Sequence, residues 1–370
     1  MEVNYGRREP FSVGIEEEFQ LLSPESYELV SRFDEVAEAS RPEVEAKPEL
    51  LRSVLEVATG VARTVPEALE ETATFRTRLR DGAAERGTLI ASAGTHPFSR
   101  YEHQQVTEEP RYLTLMEAMR WVAERELIFG LHVHVGLTSP HQALAVANTL
   151  RTWLPEILAL SANSPFWQGR ATGLASTRIK VFDAFPRSGL PPAFASFEEF
   201  ELLVERGVKT KSFEDYTYIW WDLRLHPRLG TIEVRIADAQ TRLENVGAIA
   251  ALVQSLVATL AERYDAGETL PIQPVTLVGE NKWRAARHGL ETDLIALDRD
   301  EERPAREALL ELVETARGAA RRLGCEAELE SVEQICQRGT GAEEQRRVYE
   351  RDGTLLAVAQ WLAVQTVAGV

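Results

Sequence analysis

The chain has 370 residues, of which 44% are hydrophobic and 27% charged, so it can bury a large core and could form one large domain or two. Its 58 acidic and 41 basic side chains give a net charge of −17, without the basic footprint that nucleic-acid binders carry. The acidic surplus also argues against docking on anionic membranes, but it is compatible with an acidic cleft that holds metal ions.

Cysteine usage and hydropathy point to the cytoplasm. Cys325 and Cys336 form neither a CxxC pair nor a disulfide framework, which favours reduced thiols. The N-terminal residues MEVNYGRREP lack the apolar region of a signal peptide. Apolar windows such as 246–260 are interrupted by polar side chains and fall short of the about twenty apolar residues of a membrane helix. We therefore expect a cytoplasmic protein without a membrane span.

The first predicted element is a strand over residues 13–22, VGIEEEFQLL. Strand side chains alternate between faces, so Glu16 and Glu18 lie on one face while most apolar residues lie on the other. Glu17 breaks this alternation and falls on the apolar side, which suggests a position near a sheet edge. Three consecutive glutamates repel one another and favour cations nearby, although an exposed acidic edge strand is the alternative interpretation.

Residues 45–59 allow two interpretations. A helix would place Glu49 and Glu56 on its polar face with apolar residues opposite, whereas a strand would carry Glu56 alone. The local pattern does not decide between them. The next segment, 66–86, is predicted as a helix, because a proline suits its first turn and apolar residues follow at helical spacing.

A short predicted strand over residues 88–93 leads into the turn GTHPF. The following proline restricts His96 in this turn to an extended backbone, which makes it a weak candidate to face a ligand. Residues 111–126 are predicted to be helical.

Residues 131–137, LHVHVGL, are predicted as another strand with one polar face. His132 and His134 share that face, since residues at i and i+2 of a strand point the same way. Imidazole is a common metal ligand, and the acidic strands elsewhere favour a functional pair over a structural one.

The middle of the chain combines helices with one long loop. Helices are predicted over residues 141–160 and 197–207. Between them, residues 165–192 are rich in glycine, proline, aromatic residues and arginine. A loop of this length is usually functional or disordered, and its aromatic content disfavours disorder. We predict an ordered loop that covers the substrate.

The most informative segment is the predicted strand 229–238, LGTIEVRIAD. Thr231, Glu233 and Arg235 lie on one face, and apolar residues lie on the other. A second strand over residues 216–224 is predicted to form a hairpin with it. From this segment alone, a salt-bridged surface strand fits equally well, because charges are usually exposed.

The rest of the chain is predicted to be mainly helical, over residues 243–263, 304–323 and 345–367. The basic segment 281–290 fits either an anion-binding element or a plain surface helix. No linker or internal repeat divides the sequence. We therefore expect one catalytic domain over residues 1–370, with a sheet-bearing core at about 10–300 and C-terminal helices at about 301–370.

Together, three or four strands offer glutamate, histidine or arginine on one face, which predicts an antiparallel sheet with a wet face. Carboxylate ligands favour Mg²⁺, and a histidine makes Mn²⁺ acceptable. Such ions would cradle a nucleotide triphosphate, and an arginine would stabilise the transferring phosphoryl group. The sequence has no GxxxxGK[ST] loop, GxGxxG turn, HExxH helix or GxSxG elbow, so a nucleotide site would be of this sheet-and-metal type.

Seven motifs resemble a single family. In chain order they are GIEEEF (14–19), GTHPF (94–98), GLHVHVG (130–136), LSANSPFWQG (160–169), ASTR (175–178), GTIEVRIAD (230–238) and NKWRAARHGL (281–290). Together they resemble the carboxylate–amine ligases of the glutamate–cysteine ligase type 2 family. The resemblance covers nearly the whole chain apart from the last seventy residues or so.

The resemblance implies a glutamine-synthetase-like α+β fold, in which ATP and Mg²⁺ bind over a curved antiparallel sheet with flanking helices. It implies that the γ-carboxylate of glutamate is activated as an acyl phosphate, which cysteine or another amine then attacks. Segment 45–59 then becomes strands, and the protein is expected to be a homodimer that acts on small molecules. Phosphoryl transfer to a guanidino group and a non-catalytic metal- or amino-acid-binding protein remain the alternatives.

The resemblance also implies roles for individual residues. Arg235 becomes the catalytic arginine that contacts phosphate. His134 and Arg178 are implied to bind substrate carboxylate or phosphate. The implied metal ligands are Glu16, Glu18, Glu49, Glu56, His132 and Glu233.

Overall fold

The strands are short and dispersed along the chain. The computed structural model describes residues 1–41, 44–299 and 301–370. In chain order, the strands are β1 (Val13–Leu22), β2 (Lys47–Pro48), β3 (Val54–Ala58), β4 (Leu89–Ala91), β5 (Gly130–Gly136), β6 (Phe166–Trp167), β7 (Arg170–Ala171), β8 (Ser188–Gly189), β9 (Trp220–Trp221), β10 (Leu223–His226), β11 (Thr231–Asp238), β12 (Asp293–Ala296) and β13 (Glu301–Pro304).

Helices make up much of the remaining chain. They are α1 (Phe33–Ser40), α2 (Val65–Glu85), α3 (Pro110–Met119), α4 (Trp121–Glu124), α5 (Pro140–Leu150), α6 (Leu154–Ser161), α7 (Thr177–Phe182), α8 (Phe197–Lys209), α9 (Leu243–Asp265), α10 (Val275–His288), α11 (Ala305–Leu323), α12 (Glu326–Arg338), α13 (Gly341–Asp352) and α14 (Leu355–Thr366). Single 3₁₀ turns occur at Tyr101–His103, Arg151–Trp153 and Tyr216–Tyr218.

A seven-stranded antiparallel sheet forms the centre of the fold, in the order β10-β11-β5-β1-β3-β2, with β4 also paired to β1. Strand β1 therefore lies between β5 and β3 rather than at an edge. The predicted edge position of Glu17 is wrong, and so is the alternative of an exposed acidic edge strand. The antiparallel sheet with flanking helices confirms the predicted α+β fold class.

The apolar face of the sheet packs on a helical layer. Valines, isoleucines and leucines of β1, β5 and β11 form one buried cluster with residues of α5, α6, α9, α11 and α12. Each such side chain contributes about 1.5 to 3 kcal/mol on burial, so this face has a strong preference for the interior. Helix α9 is the one described helix long and apolar enough to cross a bilayer, but 83% of its apolar window is buried in the fold. Cys325 and Cys336, both in this cluster, are free buried thiols, as predicted.

The ambiguous segment 45–59 forms strands, as the family resemblance implied. Strand β3 pairs with β1 and places Glu56 opposite Glu18. Strand β2 then pairs with β3, so Lys47 lies opposite Glu56.

Three predicted helices are each divided in two. Residues 141–160 form α5 and α6, because Pro155 in the first turn of α6 cannot donate the hydrogen bond that a continuous helix needs. Residues 345–367 divide at Gly353, whose φ of 73° ends α13. Residues 111–126 divide at Arg120, where φ is 50°. Helix α12 (Glu326–Arg338) was not predicted.

The predicted strand 216–224 is only partly correct. Its first residues form a 3₁₀ turn, and β9 pairs in parallel with β8 instead of joining the hairpin. The hairpin itself is confirmed, but β10 and β11 form it with Leu223 opposite Val234 and His226 opposite Thr231. Asp222 separates the two short strands, and its side chain takes part in a buried ion pair with Lys282.

Candidate active site

The polar face of the sheet carries a row of charged side chains that cross-strand pairing places side by side. Glu16 lies opposite His132, and Glu18 lies opposite Glu56. On the other side, His134 lies opposite Glu233. Directly opposed residues point to the same face, so strands far apart in sequence combine their polar alternation into one surface.

A β-bulge in β11 sets the position of Arg235. The pairing of β11 with β5 shifts between Val234 and Ala237, so two residues of β11 lie opposite His132 alone. The backbone N–H of Arg235 donates instead to the carbonyl of Asp222, at 2.8 Å. Bulges re-aim side chains next to active sites, and this one directs Arg235 toward the neighbouring Glu233.

The first cluster of possible metal ligands contains Glu16, His134 and Glu233, whose ligand atoms lie within 4.8 Å of one another. The Nε2 atom of His134 is 3.2 Å from Glu16 Oε1 and 3.8 Å from Glu233 Oε1. His132 lies beside this cluster, with Nδ1 3.1 Å from Glu16 Oε2. Thus the histidine that completes the cluster is His134, while the role of His132 as a ligand stays a prediction.

The second cluster contains Glu18, Glu49 and Glu56, again with ligand atoms within 4.8 Å. Glu18 Oε2 accepts a hydrogen bond of 2.7 Å from the backbone N–H of Gly130. The nearby ammonium group of Lys47 is 3.7 Å from Glu56 Oε1. Three carboxylates in this small volume repel one another unless a cation lies between them.

The two clusters differ in electrostatics. Burial raises the pKa of Glu16, but His134 and His132 outweigh it and hold that pKa well below its usual range. Burial and the charge of Glu18 raise the pKa of Glu49 to about 7. Burial and the charge of Glu16 raise the pKa of Glu56 well above its usual range. The second cluster therefore has less compensating positive charge than the first one, although Lys47 lies beside it.

Two arginines enclose the carboxylate of Glu233. Arg224 Nε donates to Glu233 Oε2 at 2.8 Å, and Arg235 Nη1 donates to Oε1. Burial alone would raise the pKa of Glu233, but these two guanidinium groups hold it well below its usual range. Sequence analysis did not name Arg224, although its position opposite Glu233 follows from the hairpin register.

Arg178 reaches the site from the long loop, where α7 carries it. Its side chain is buried, and its two Nη atoms donate to the carbonyls of Ile236 and Arg235 at 3.3 and 3.2 Å. A Cβ on Gly130 would lie 2.5 Å from Arg178 Nη2, so this close approach requires glycine. Asp238 accepts hydrogen bonds from Ser164 and Ser176, which fixes the loop that carries Arg178.

Glu16, His132, the three carboxylates of the second cluster and the arginines Arg178, Arg224 and Arg235 line a cavity of about 350 Å³. The loop 165–192 contributes Arg178, Phe182 and Phe185 to its walls. Sequence analysis missed further residues that line it, namely Lys47, Arg111, Tyr112, Glu126, Trp220 and Arg224. Lys47, Glu126 and Trp220 lie in a loop or in two-residue strands, where no periodicity indicates which way a side chain points. Arg111 and Tyr112 lie in the first turn of α3, and helical periodicity alone does not show that this turn faces the sheet.

Two other sequence interpretations are wrong. His96 does not face a ligand, because its Nε2 lies 2.9 Å from the carbonyl oxygen of Tyr27 and its Nδ1 accepts from the backbone of Ser99 at 2.8 Å. Burial lowers its pKa to about 4, so it is a neutral structural histidine. The segment 281–290 is not a plain surface helix, since Lys282 points inward and lies 2.7 Å from both Asp183 and Asp222. Its role as an anion-binding element stays a prediction.

The donor set fits divalent cations with hard character. Five carboxylates and one or two histidines match Mg²⁺ or Mn²⁺ rather than soft metals. The buried Nε2 atoms of His132 and His134 make no well-aligned hydrogen bond within the described part of the chain. These two ring nitrogens are therefore available to bind an ion. Arg235 already donates to Oε1 of Glu233, so an ion bound at that oxygen would share it with Arg235.

Known proteins provide an independent comparison. The profile of glutamate–cysteine ligase family 2 matches residues 12–360. A Rubrobacter xylanophilus protein, provisionally named glutamate–cysteine ligase 2-3, is 46% identical over 369 residues, which cover 99% of this chain and 100% of the relative. Another protein of that organism, provisionally named glutamate–cysteine ligase 2-1, is 44% identical over 95% of this chain and 94% of its own.

Among solved structures, the glutamate–cysteine ligase of Francisella tularensis in complex with AMP is similar with a TM-score of 0.71. The match covers 98% of this chain and 90% of that chain at 13% sequence identity. At this identity the likeness shows a common fold.

Proposed function

The chain belongs to glutamate–cysteine ligase family 2, and from that premise we propose that it is an ATP-dependent carboxylate–amine ligase. The proposed reaction joins the γ-carboxylate of glutamate to the amino group of cysteine or of another amine. One observation carries the proposal, namely two clusters of three possible ligand side chains on one sheet face, four of whose carboxylates share the wall of a single cavity with arginines. The carboxylates are those of Glu16, Glu18, Glu49 and Glu56, and the arginines include Arg178, Arg224 and Arg235. Family membership and relatives with the ligase name support it.

The proposed chemistry has two balanced steps. A γ-carboxylate oxygen of glutamate attacks the terminal phosphorus of ATP, ADP leaves, and a γ-glutamyl phosphate forms. The uncharged amine then attacks the acyl carbon, phosphate leaves, and the amine loses a proton as the amide forms. Both steps transfer negative charge between oxygens, so they depend on positive groups held in place beforehand.

The residues of the two clusters would hold Mg²⁺ or Mn²⁺, which when bound would neutralise the phosphates of the nucleotide. His132 orients Glu16 through the contact of 3.1 Å between Nδ1 and Oε2. Arg235 is partly buried in the cavity wall and would stabilise the transferring phosphoryl group. Arg178 would bind a substrate carboxylate or phosphate. Phe182, with Arg178 stacked over its ring at 5.7 Å, helps to exclude water from that side.

The test is an assay of ADP release with glutamate alone, with glutamate plus an amine, and with neither. We expect turnover that requires both substrates and yields a γ-glutamyl amide identified by mass spectrometry. A panel of amines would then rank cysteine against the others. Tight binding of Mg-nucleotide without turnover on any acid and amine would contradict the proposal and favour a binding protein on the same scaffold.

The proposal also covers the location and the assembly of the protein. The enzyme would act in the cytoplasm as one catalytic domain and assemble as a homodimer. Light scattering of the purified chain measures the assembly directly, and a monomer at micromolar concentration would contradict the dimer without affecting the chemistry.

A further inference from the structure

Glu126 is a carboxylate in the cavity wall that belongs to neither ligand cluster. It lies in the segment between α4 and β5, beside residues of both clusters. Its Oε2 atom is buried and receives no hydrogen bond within the described part of the chain. The removal of a carboxylate oxygen from water without a partner destabilises a fold, so a group kept in this state in a cavity wall points to a ligand.

A backbone hydrogen bond explains the place of Glu126 but not its side chain. Its N–H donates to the carbonyl of Ala123, which closes the turn after α4. Burial raises the pKa of its carboxyl group to about 8, and the guanidinium of Arg178 opposes that shift. The protein itself therefore provides too little positive charge at this position, and a cation from outside would supply it.

Arg178, in the wall of the same cavity, is a buried cation whose hydrogen bonds are also only partly satisfied. Its side chain is 3% exposed, and its Nη atoms donate to backbone carbonyls. Its buried Nε has no partner among the described residues. One wall of the cavity thus holds a carboxylate and a guanidinium that each retain hydrogen-bonding capacity.

We propose that Glu126 binds the primary ammonium group of an amino-acid substrate, with Arg178 as the partner for the carboxylate of the same molecule. This inference rests on the proposed function and deepens it. A primary ammonium group has three N–H donors and a full positive charge, which matches a single buried carboxylate. A divalent ion would need several ligands, and those are gathered in the two clusters. Two substrates carry such an ammonium group, the acid and the amine, and the test separates them.

The test uses the variant Glu126→Gln, which keeps the shape of the side chain and removes its charge. Calorimetric titration with glutamate is compared with titration with glutarate, which has both carboxylates but no ammonium group. If the site takes the acid, glutamate binding weakens at least tenfold and glutarate binding stays unchanged. If it takes the amine, the KM of the amine rises at least tenfold while that of glutamate stays unchanged. Unchanged constants for both substrates overturn the inference.

A matched control is available two residues away. Glu124 is exposed on α4, so Glu124→Gln changes net charge equally and should leave every constant as in the wild type. Thermal unfolding of both variants shows whether they fold, and Glu126→Ala replaces Glu126→Gln if the latter does not. The failure of this inference differs from failure of the proposed function. If the wild-type protein binds glutamate in a Glu126-dependent way but forms no amide, only the ligase proposal fails.

Discussion

The two faces of strand β1 carry glutamates that differ in how completely the protein satisfies their hydrogen bonds and compensates their charge. On the helical side, Glu17 is 3% exposed and accepts hydrogen bonds from Arg76 at 2.5 and 3.1 Å. Arg76 is 0% exposed and gives its other donors to the carbonyls of Gln240, Thr241 and Thr366. Every strong donor in this pair has a partner.

On the cavity side, the glutamates of the same strand lie among groups whose charge or hydrogen bonds the protein does not fully compensate. Glu18 shares a small volume with Glu49 and Glu56, and both of those carboxyls have a raised pKa. His132 and His134, beside Glu16, each keep a ring nitrogen without a well-aligned partner among the described residues. The difference teaches that burial alone does not separate structural from functional charge. What separates them is whether the protein itself completes the hydrogen bonds of the charged group.

The comparison predicts its largest effect for Arg76→Met. Removal of the guanidinium leaves Glu17 buried without a partner and frees three carbonyls, which should lower the free energy of unfolding by about 3 to 5 kcal/mol. Urea denaturation followed by circular dichroism measures this loss. Arg78→Met on the same helix is the control, since Arg78 is exposed and its loss should change stability little. A loss below about 1 kcal/mol for Arg76→Met would show that the pair is not structural.

Arg235→Ala tests the other face. The variant should fold and bind Mg-nucleotide nearly as the wild type does, but kcat should fall by about 10² to 10³, which corresponds to about 2.7 to 4 kcal/mol of transition-state stabilisation. Steady-state kinetics with saturating substrates gives the value. Arg228→Ala, in the exposed turn before β11, serves as the control. Normal turnover of Arg235→Ala would refute its catalytic role.

Glu156 sharpens the comparison, because its carboxylate lies inside the helical layer and its hydrogen bonds are only partly satisfied. It lies in α6, and its Oε2 is buried without a hydrogen-bond partner among the described residues. Burial raises its pKa to about 7 against an ordinary 4.5, with Arg303 opposing the shift. Between pH 4.5 and about pH 7, the carboxyl group of Glu156 therefore keeps its proton in the folded state and loses it in the unfolded state. The stability from this group is fully present below the unfolded pKa and is lost as pH rises through about 7.

Glu156→Gln should remove this pH dependence. Relative to the variant, the wild-type protein should lose on the order of 1 to 3 kcal/mol of stability between about pH 5 and pH 8. Denaturation curves across that range give the difference, with the exposed Glu307→Gln as the control. Parallel curves for wild type and Glu156→Gln would mean that Glu156 is solvated or paired in solution.

The smallest expected effect is that of Glu16→Gln on metal dependence. The loss of one carboxylate ligand should raise the Mg²⁺ concentration for half-maximal activity about tenfold, or about 1.4 kcal/mol, because the other ligands remain. A Mg²⁺ titration of ADP release measures the shift, and Glu28→Gln, exposed beyond the end of β1, is the control. An unchanged titration would remove Glu16 from the proposed ligand set.

The sequence by itself determined which residues share a face. The two-residue period of a strand is local, so it separates Glu16 and Glu18 from their apolar neighbours, and groups His132 with His134, without knowledge of any partner. Helical periodicity likewise located α2, α9 and α11 correctly, although local breaks at Pro155 and Gly353 divided other helices. The motifs also carried the family resemblance over most of the chain.

Only the tertiary structure decided which of these groups meet. His132 and His134 are equivalent by periodicity, and it is the register of β5 with β11 that places His134 opposite Glu233. The bulge at Arg235, the inward turn of Lys282 and the arrival of Glu126 in the cavity depend on contacts between segments far apart in the chain. A local pattern contains no information on such pairings, because register is set by packing over the whole sheet.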